Sequence, residues 1–250
     1  MGMNGYAGGK AAMHRFFATR VDENRAELPP EEEAHALRVL RMSAGDACQA
    51  LIEGNLYGAV IEETDPRVIL RLGDRLPSPE PSVEITLYQG IPKGEKMDYI
   101  AQKCTEAGVY RIVPVSFSRC VARWDGKDAA KKRDRFQRIA AEAAKQSGRA
   151  VIPEIGTPLS VSRLCEELSS YDLALVPWEE ERGNGIRAKW RGEKRVALVI
   201  GPEGGIAPDE IEQMKAAGAV PVTLGPRIFR TETAGLAAAV SLLTVSGNME

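Results

Sequence analysis

Beyond residue 82 this 250-residue chain alternates short apolar runs with longer amphipathic ones, and that rhythm restricts the fold more than any other feature. Val83–Gln89, Arg111–Val115, Asp172–Pro177, Arg195–Ile200 and Val220–Leu224 read as strands. Two of them, Asp172–Pro177 and Arg195–Ile200, are nearly continuous in apolar character, as expected of a sheet buried on both faces. Helical patterns fall between them at Glu95–Ala107, Asp128–Ser147, Pro208–Ala217 and Glu232–Val245. Met97, Ile100, Ala101 and Cys104 share one face of the first, and Gly108 stops it. Pro208, Asp209 and Glu210 suit the first turn of the third, and Gly218 ends it. Such alternation predicts an α/β fold with a mainly parallel sheet.

Upstream the pattern changes. Pro77, Pro79 and Pro81 interrupt Gly73–Ser82 and predict an extended, semi-rigid linker. Before it, Cys48–Glu53, Tyr57–Glu63 and Val68–Leu72 are strand-like, with turns at Gly54–Asn55 and Thr64–Pro66. The spacing predicts one helix over Pro30–Met42, with Glu31, Glu32 and Glu33 in its first turn and Ala34, Leu37 and Leu40 as its stripe. Residues 13–76 therefore read as a small β-barrel carrying one helix, and residues 77–250 as the α/β domain. Residues 1–12, rich in Gly and Ala, read as a flexible extension or an alternative start ahead of Met13.

Hydrophobic residues at 44% and charged residues at 27% exclude a disordered or fibrous chain. Four cysteines without a CxxC pair and only two histidines predict no metal site. Scattered cysteines fit a reducing compartment, and no run approaches the roughly 18 apolar residues of a membrane helix. A cytoplasmic protein without membrane contact is expected. The net charge of −2 is unevenly spread. Residues 92–149 carry 14 basic and 7 acidic side chains, whereas residues 1–80 carry 9 and 13 and residues 150–250 carry 10 and 14. The basic block is densest at Arg119, Arg123, Lys127, Lys131, Lys132, Arg133, Arg135 and Arg138. It is the footprint expected of phosphate contact, although a solvated helix face explains the charge equally well. The nearby aromatics Trp124 and Phe136 favour nucleic acid.

Two loops carry the most information. Val196–Ile200 runs into Gly201-Pro-Glu-Gly-Gly205, and Val222–Leu224 into Gly225-Pro-Arg-Ile-Phe-Arg-Thr-Glu-Thr233. Each is a strand, a Gly-Pro turn and a helix start. In open α/β sheets ligands bind beyond the carboxyl ends of strands, where such loops sit, and glycine lets backbone approach a ligand closely. The spacing fits neither a P-loop nor a GxGxxG fingerprint. One such loop alone could be a simple tight turn. Two on successive strands, the second holding Arg227, Arg230, Thr231, Glu232 and Thr233, argue for a site. Thr231 is a candidate cap for the last helix.

At these residues the sequence closely resembles the ribosomal small-subunit RNA uridine-N3 methyltransferases of the SPOUT superfamily. The matching stretches are Ile200–Gly205, Leu224–Ala234, Pro92–Met97, Gln102–Val109 and Glu142–Arg149, with Arg15–Phe17 and His35–Arg41 upstream. The resemblance runs from about Met13 to the end in consistent order. Phe229, Ala107, Cys120 and Ala207 depart from the family pattern. Replacing a capping Ser by Ala207 costs ~1 kcal/mol unless Pro208 and the acidic first turn compensate.

The resemblance implies a trefoil-knotted α/β domain preceded by a PUA-like barrel, a homodimer, and 16S rRNA of the small ribosomal subunit as substrate. It implies S-adenosylmethionine as cofactor, held bent by three loops. Here these are the loop after Pro177, with Pro177 itself; the Gly201–Gly205 loop, with Ile200, Gly201, Pro202, Glu203, Gly204 and Gly205; and the Leu224–Thr231 loop, with Leu224, Gly225, Ile228, Phe229, Arg230 and Thr231. Candidate RNA contacts are Arg15, Arg38, Arg41, Lys93, Lys96, Arg119, Arg123, Gln146, Ser147 and Arg149.

Methyl transfer to uracil N3 requires removal of its proton or stabilisation of the resulting anion. Arg230 is the first candidate for stabilisation and Glu232 the second catalytic candidate. Glu232 and Glu203 are each a candidate base or cofactor contact, and Glu232 equally suits a helix N-terminus. A nucleotide-utilising enzyme and a noncatalytic RNA-binding protein of the ribosome are the alternative classes. Cofactor binding separates them.

Overall fold

The computed structural model describes residues 13–124 and 126–249, so the extension expected at 1–12 lies outside the described residues. The chain divides into two compact units, Met1–Pro79 and Glu80–Glu250.

The first unit contains β1 (Arg15–Phe17), β2 (Thr19–Arg20), β3 (Arg25–Glu27), α1 (Pro30–Ala34), β4 (Ala47–Ile52), β5 (Asn55–Glu63) and β6 (Ile69–Leu76). The strands form one sheet in the order β1-β4-β5-β6-β3-β2. Only the β1–β4 pair is parallel. The edge strands β1 and β2 are separated by Ala18 alone, so the sheet curls until one bent segment serves both edges. Consecutive stretches of one chain cannot pair across a single residue. The two edges are joined through Ala18 itself, and the first unit is a curled mixed sheet. Phe16, Leu28, Ile61 and Leu70 fill its concave side.

The single helix expected over Pro30–Met42 is also corrected. After α1 the chain widens into a π-helical turn over His35–Val39, where Leu40 N–H donates to His35 C=O. The extra residue per turn rotates the buried face. Ala36 and Glu32 are buried, Ala34 is exposed, and Leu37 and Leu40 are half-buried. Gly73–Leu76 belong to β6 rather than to a linker. A Cβ on Gly73 would lie 3.4 Å from the Gly58 carbonyl, so this glycine marks close strand approach.

The second unit is built from β7 (Glu84–Gly90), α2 (Lys96–Ala107), β8 (Arg111–Ser116), α3 (Gly126–Ser147), β9 (Glu154–Ile155), β10 (Leu159–Ser160) and α4 (Val161–Leu168). It continues through β11 (Leu173–Pro177), α5 (Ile186–Lys189), β12 (Arg195–Ile200), α6 (Pro208–Ala216), β13 (Val220–Val222) and α7 (Thr231–Val245). The strand order is β10-β8-β7-β12-β11-β13, with β9 also on β8 and every pair parallel. By register β9 and β10 are one interrupted edge strand along β8, broken between Ile155 and Leu159. Sequence patterning missed β9, β10, α4 and α5, all of which are short. The cap of α4 was legible: Ser160 Oγ accepts from Arg163 N–H.

Strand alternation divides the core into two layers. Ile85, Leu87, Val196, Leu198 and Ile200 face α2, α3 and α7, while Tyr88, Val113, Ala197 and Val199 face α4 and α6. Small residues bring α7 close to β7. A Cβ on Gly235 would lie 3.1 Å from Leu87, and Ala238 and Ala239 are fully buried. At α6, Ala207 offers no side-chain cap, but Glu210 compensates. Its Oε2 accepts from Ala207 N–H and its Oε1 from Ser118 N–H.

From β7 the chain steps outward to β8, then returns to lay β12 and β11 on the other side of β7. That reversal opens a crevice at the carboxyl ends of the central strands.

Candidate functional site

A pocket of about 430 Å³ lies at the carboxyl ends of β11, β12 and β13. From the segment after β11 come Pro177, Trp178, Glu179 and Arg182. From β12 and its loop come Ile200, Gly201, Pro202, Glu203, Gly205 and Ile206. From the β13 loop come Thr223 and every residue to Thr231, with Ala234 and Lys96 completing the wall. All the cofactor candidates read from sequence line this pocket except Gly204. That glycine is turned toward Arg119, where a Cβ would fall 3.0 Å from the arginine's own Cβ. The loop after Pro177, expected to hold cofactor, supplies Trp178, Glu179 and Arg182, whereas Ile206, Thr223 and Ala234 were not singled out as cofactor contacts in the sequence.

The first glycine loop is shaped by backbone contact. Ile200 pairs with Gln89, which brings Gly90 against the following turn. A Cβ on Gly90 would sit 2.5 Å from Pro202 N, and one on Gly201 would sit 2.8 Å from Ile206 Cγ1. A buried chain of hydrogen bonds fastens this loop to α7. Gln89 Nε2 donates to Thr231 Oγ1 at 2.9 Å, and Thr231 Oγ1 donates to the Gly201 carbonyl at 2.7 Å. Thr231 is thus the first residue of α7 and a strap between loops. The expected capping role is corrected, because the N-cap is Arg230, which makes no side-chain cap bond. The Arg230 carbonyl accepts from Thr233 N–H, Ala234 N–H and Thr233 Oγ1. Its backbone is therefore fixed while its side chain borders the pocket. Among the described residues the Arg230 guanidinium has no hydrogen-bond partner.

Charge at the pocket wall is organised around Lys96. Its Nζ lies 2.9 Å from Glu203 Oε1 and 3.2 Å from Glu232 Oε2. Lys93 N–H also donates to Glu203 Oε1 at 3.0 Å. Contact with Glu203, and secondarily Glu232, raises the Lys96 pKa. Partial burial works against ionisation of Glu203, but Lys96 and the Lys93 amide outweigh it and hold the carboxyl below its ordinary value. For Glu232 burial is likewise outweighed, by its own backbone amide, Lys96 and the charge of Arg230. All three groups are therefore charged at neutral pH. Both carboxylates are paired to the same ammonium, that of Lys96.

The RNA candidates fall in several places. Arg38 and Arg41 are exposed around the π-helical turn of the first unit. Arg15 lies on β1 with its Nε donating to Gln49 Oε1. Lys93 and Arg123 are exposed, and Arg119 reaches back to donate to the Gly204 carbonyl. Gln146 and Ser147 are exposed at the end of α3, where Ser147 Oγ donates to Ala143 C=O. Two candidates are corrected. Arg149 is only 5% exposed, pairs with Glu80 at 2.6 Å and donates to the carbonyls of Thr105 and Val109 at the end of α2. It is a structural arginine. Lys96 is committed to two carboxylates rather than open to phosphate. In the basic block, Lys132, Arg133 and Arg135 pair with Asp128, Asp134 and Asp98. Among the described residues no helix is long and apolar enough to cross a membrane, and no group of three or more His, Cys, Asp or Glu could hold a metal ion.

A family model described as the RNA methyltransferase domain matches residues 78–243. The ribosomal RNA small subunit methyltransferase E of Mycobacterium bovis is 37% identical over 231 residues, covering 88% of this chain and 87% of its own length. The Bacillus subtilis protein of the same name is 31% identical over 250 residues, covering 90% and 93%. Among solved structures, the Neisseria gonorrhoeae ribosomal RNA small subunit methyltransferase E bound to S-adenosyl methionine superposes with a TM-score of 0.77 at 31% identity, over 93% of this chain and 98% of that one. A Legionella pneumophila methyltransferase in complex with SAM has the same TM-score at 32% identity, over 93% and 97%. With two strand-end glycine loops closing one pocket, and likeness of this extent along most of its length, the chain belongs to the RNA methyltransferase family that includes the ribosomal RNA small subunit methyltransferases E.

Proposed function

We propose that this protein uses S-adenosylmethionine to methylate N3 of a specific uridine in 16S rRNA of the small ribosomal subunit. The observation that carries the reading is the pocket at the ends of β11, β12 and β13, lined by loops from all three strands. Its residues fit the cofactor. The volume of about 430 Å³ is ordinary for a ligand of this size. Glycines 201 and 205 leave backbone exposed to a flat ring, and Leu224, Ile228 and Phe229 offer apolar cover. When bound, S-adenosylmethionine supplies an electrophilic methyl carbon on a sulfonium.

The chain's own part is to orient uracil and support the loss of its N3 proton. Arg230 stands at the pocket with its guanidinium uncommitted and its backbone fixed, suited to stabilising negative charge on N3 and the flanking carbonyls. Glu232 contributes electrostatically, as an ionised group beside Lys96 and Arg230. Arg15, Arg38, Arg41, Lys93, Arg119, Arg123, Gln146 and Ser147 are the proposed rRNA contacts. The first unit is proposed as a PUA-like RNA-binding domain. A homodimer and a cytoplasmic location complete the reading.

A trefoil knot is part of the same proposal. Its support is the path after β13, where Thr223 N–H donates to Asn184 C=O and Trp178 N–H to Val222 C=O before α7 turns back onto β7 and α2. Nucleoside mass spectrometry of small-subunit rRNA from a deletion strain tests the function. Loss of 3-methyluridine supports it, and persistence refutes it.

A further inference from the structure

Lys96 is the first residue of α2, yet its ammonium sits between carboxylates from two other segments. Glu203 belongs to the loop after β12 and Glu232 to the first turn of α7. The side chains are 33%, 26% and 16% exposed respectively, so Glu232 is the most sheltered of the three. The Lys93 amide adds a second bond from the β7–α2 loop to the same Glu203 oxygen that Lys96 holds. These contacts tie together the same three segments that the buried Gln89–Thr231–Gly201 strap joins from beneath. Arg230 lies two residues before Glu232, at the point where α7 begins.

We propose that Lys96 is a positioning residue for methyl transfer: by bridging Glu203 and Glu232 it locks the first glycine loop onto the start of α7 and so fixes where Arg230 stands. This rests on the methyltransferase reading above. The ionic bridge is the more exposed of the two ties. Without it, two ionised carboxylates face each other with no shared cation. Their repulsion pushes the loop and the helix start apart, while the buried strap keeps the fold intact. Misplacement of a reacting group by about 1 Å costs about 10²-fold in rate.

The test uses the full-length protein with S-adenosylmethionine and small ribosomal subunits lacking the modification. At saturating cofactor, Lys96→Met is expected to slow single-turnover methylation by about 10- to 100-fold, with the KM for the subunit little changed. Lys96→Arg, which keeps a cation able to span both carboxylates, is expected to restore most of the rate. In a Glu203→Gln/Glu232→Gln background, Lys96→Met is expected to cost nothing further. A Lys96→Met enzyme with unchanged rate but a raised KM and a weaker salt dependence would show a phosphate contact instead and overturn the proposal. An additional loss in the double-Gln background would overturn it too, because Lys96 would then act without the carboxylates. Hydrogen exchange of the cofactor-free protein separates this proposal from the reading beneath it. Faster exchange around Glu203–Gly205 and Thr231–Thr233 in Lys96→Met is expected whatever the substrate, and unchanged exchange sinks the tie. Wild-type protein that binds the cofactor but never methylates the subunit would instead refute the functional reading.

Discussion

The two glycine loops begin alike and end differently. After β12, Pro202 and Ile206 are buried, Gly90 presses against the turn, and Arg119, Lys93, Lys96 and Thr231 each bond to the loop. After β13, residues 225–230 are all exposed, and Ile228 is 82% exposed. A Cβ on Gly225 would meet nothing within 4 Å, and the bonds to its backbone are short-range ones to Thr223 Oγ1. One loop is preformed by the protein, and the other awaits something to cover. Position comes from the first, and exposed apolar surface comes from the second. Arg230 stands at the junction, on the open loop's last residue but anchored by α7.

Substitutions can break or sharpen this contrast. The largest effect is expected for Arg230→Ala, which leaves the fold and cofactor binding in place while methyl transfer falls by about 10²–10³-fold in single-turnover assays. An undiminished rate with cofactor bound would remove Arg230 from the mechanism. Gly90→Ala attacks the preformed loop. Its new methyl meets backbone at 2.5 Å, and urea denaturation is expected to show a loss of about 1–3 kcal/mol together with weakened cofactor binding. Gly225→Ala makes the same chemical change in the open loop. There φ is +100° with space around it, so the cost is conformational, about 1–2 kcal/mol, with no steric clash to relieve. If a second substitution that enlarges space around Pro202 rescues Gly225→Ala as well as Gly90→Ala, the contrast fails. The smallest effect is expected for Ile228→Ala. Stability should stay within about 0.5 kcal/mol of wild type, while calorimetry shows cofactor affinity reduced by about fivefold, or ~1 kcal/mol. A large loss of stability would mean that this loop packs against protein after all.

Local chemistry was legible in the sequence and long-range partnership was not. The glycine loops announced themselves by strand, turn and helix signals within about ten residues, and the pocket forms from them. The π-helical turn at His35–Val39 was hidden, because its residues look like ordinary helix and only packing of Ala36 and Glu32 shows the extra residue. Arg149 reads as a free cation at a helix end. Its partner, Glu80, lies 69 positions away. Lys96 and Glu203 are separated by 107 positions, and Gln89 and Thr231 by 142. Those contacts exist because the sheet sets β12 beside β7, an adjacency that no periodicity encodes.

That adjacency also governs when the protein becomes competent. During synthesis β7, α2 and β8 emerge together and can form a local unit, but β12 follows β7 by about a hundred residues. At ~5–20 residues per second the growing chain holds an apolar strand edge open for roughly 5–20 s. The pocket waits longer still, because its last wall residue is Ala234, on α7. A nascent chain therefore carries the basic helix α3 well before it has a site for methyl transfer, and reactivity arrives in a single late step.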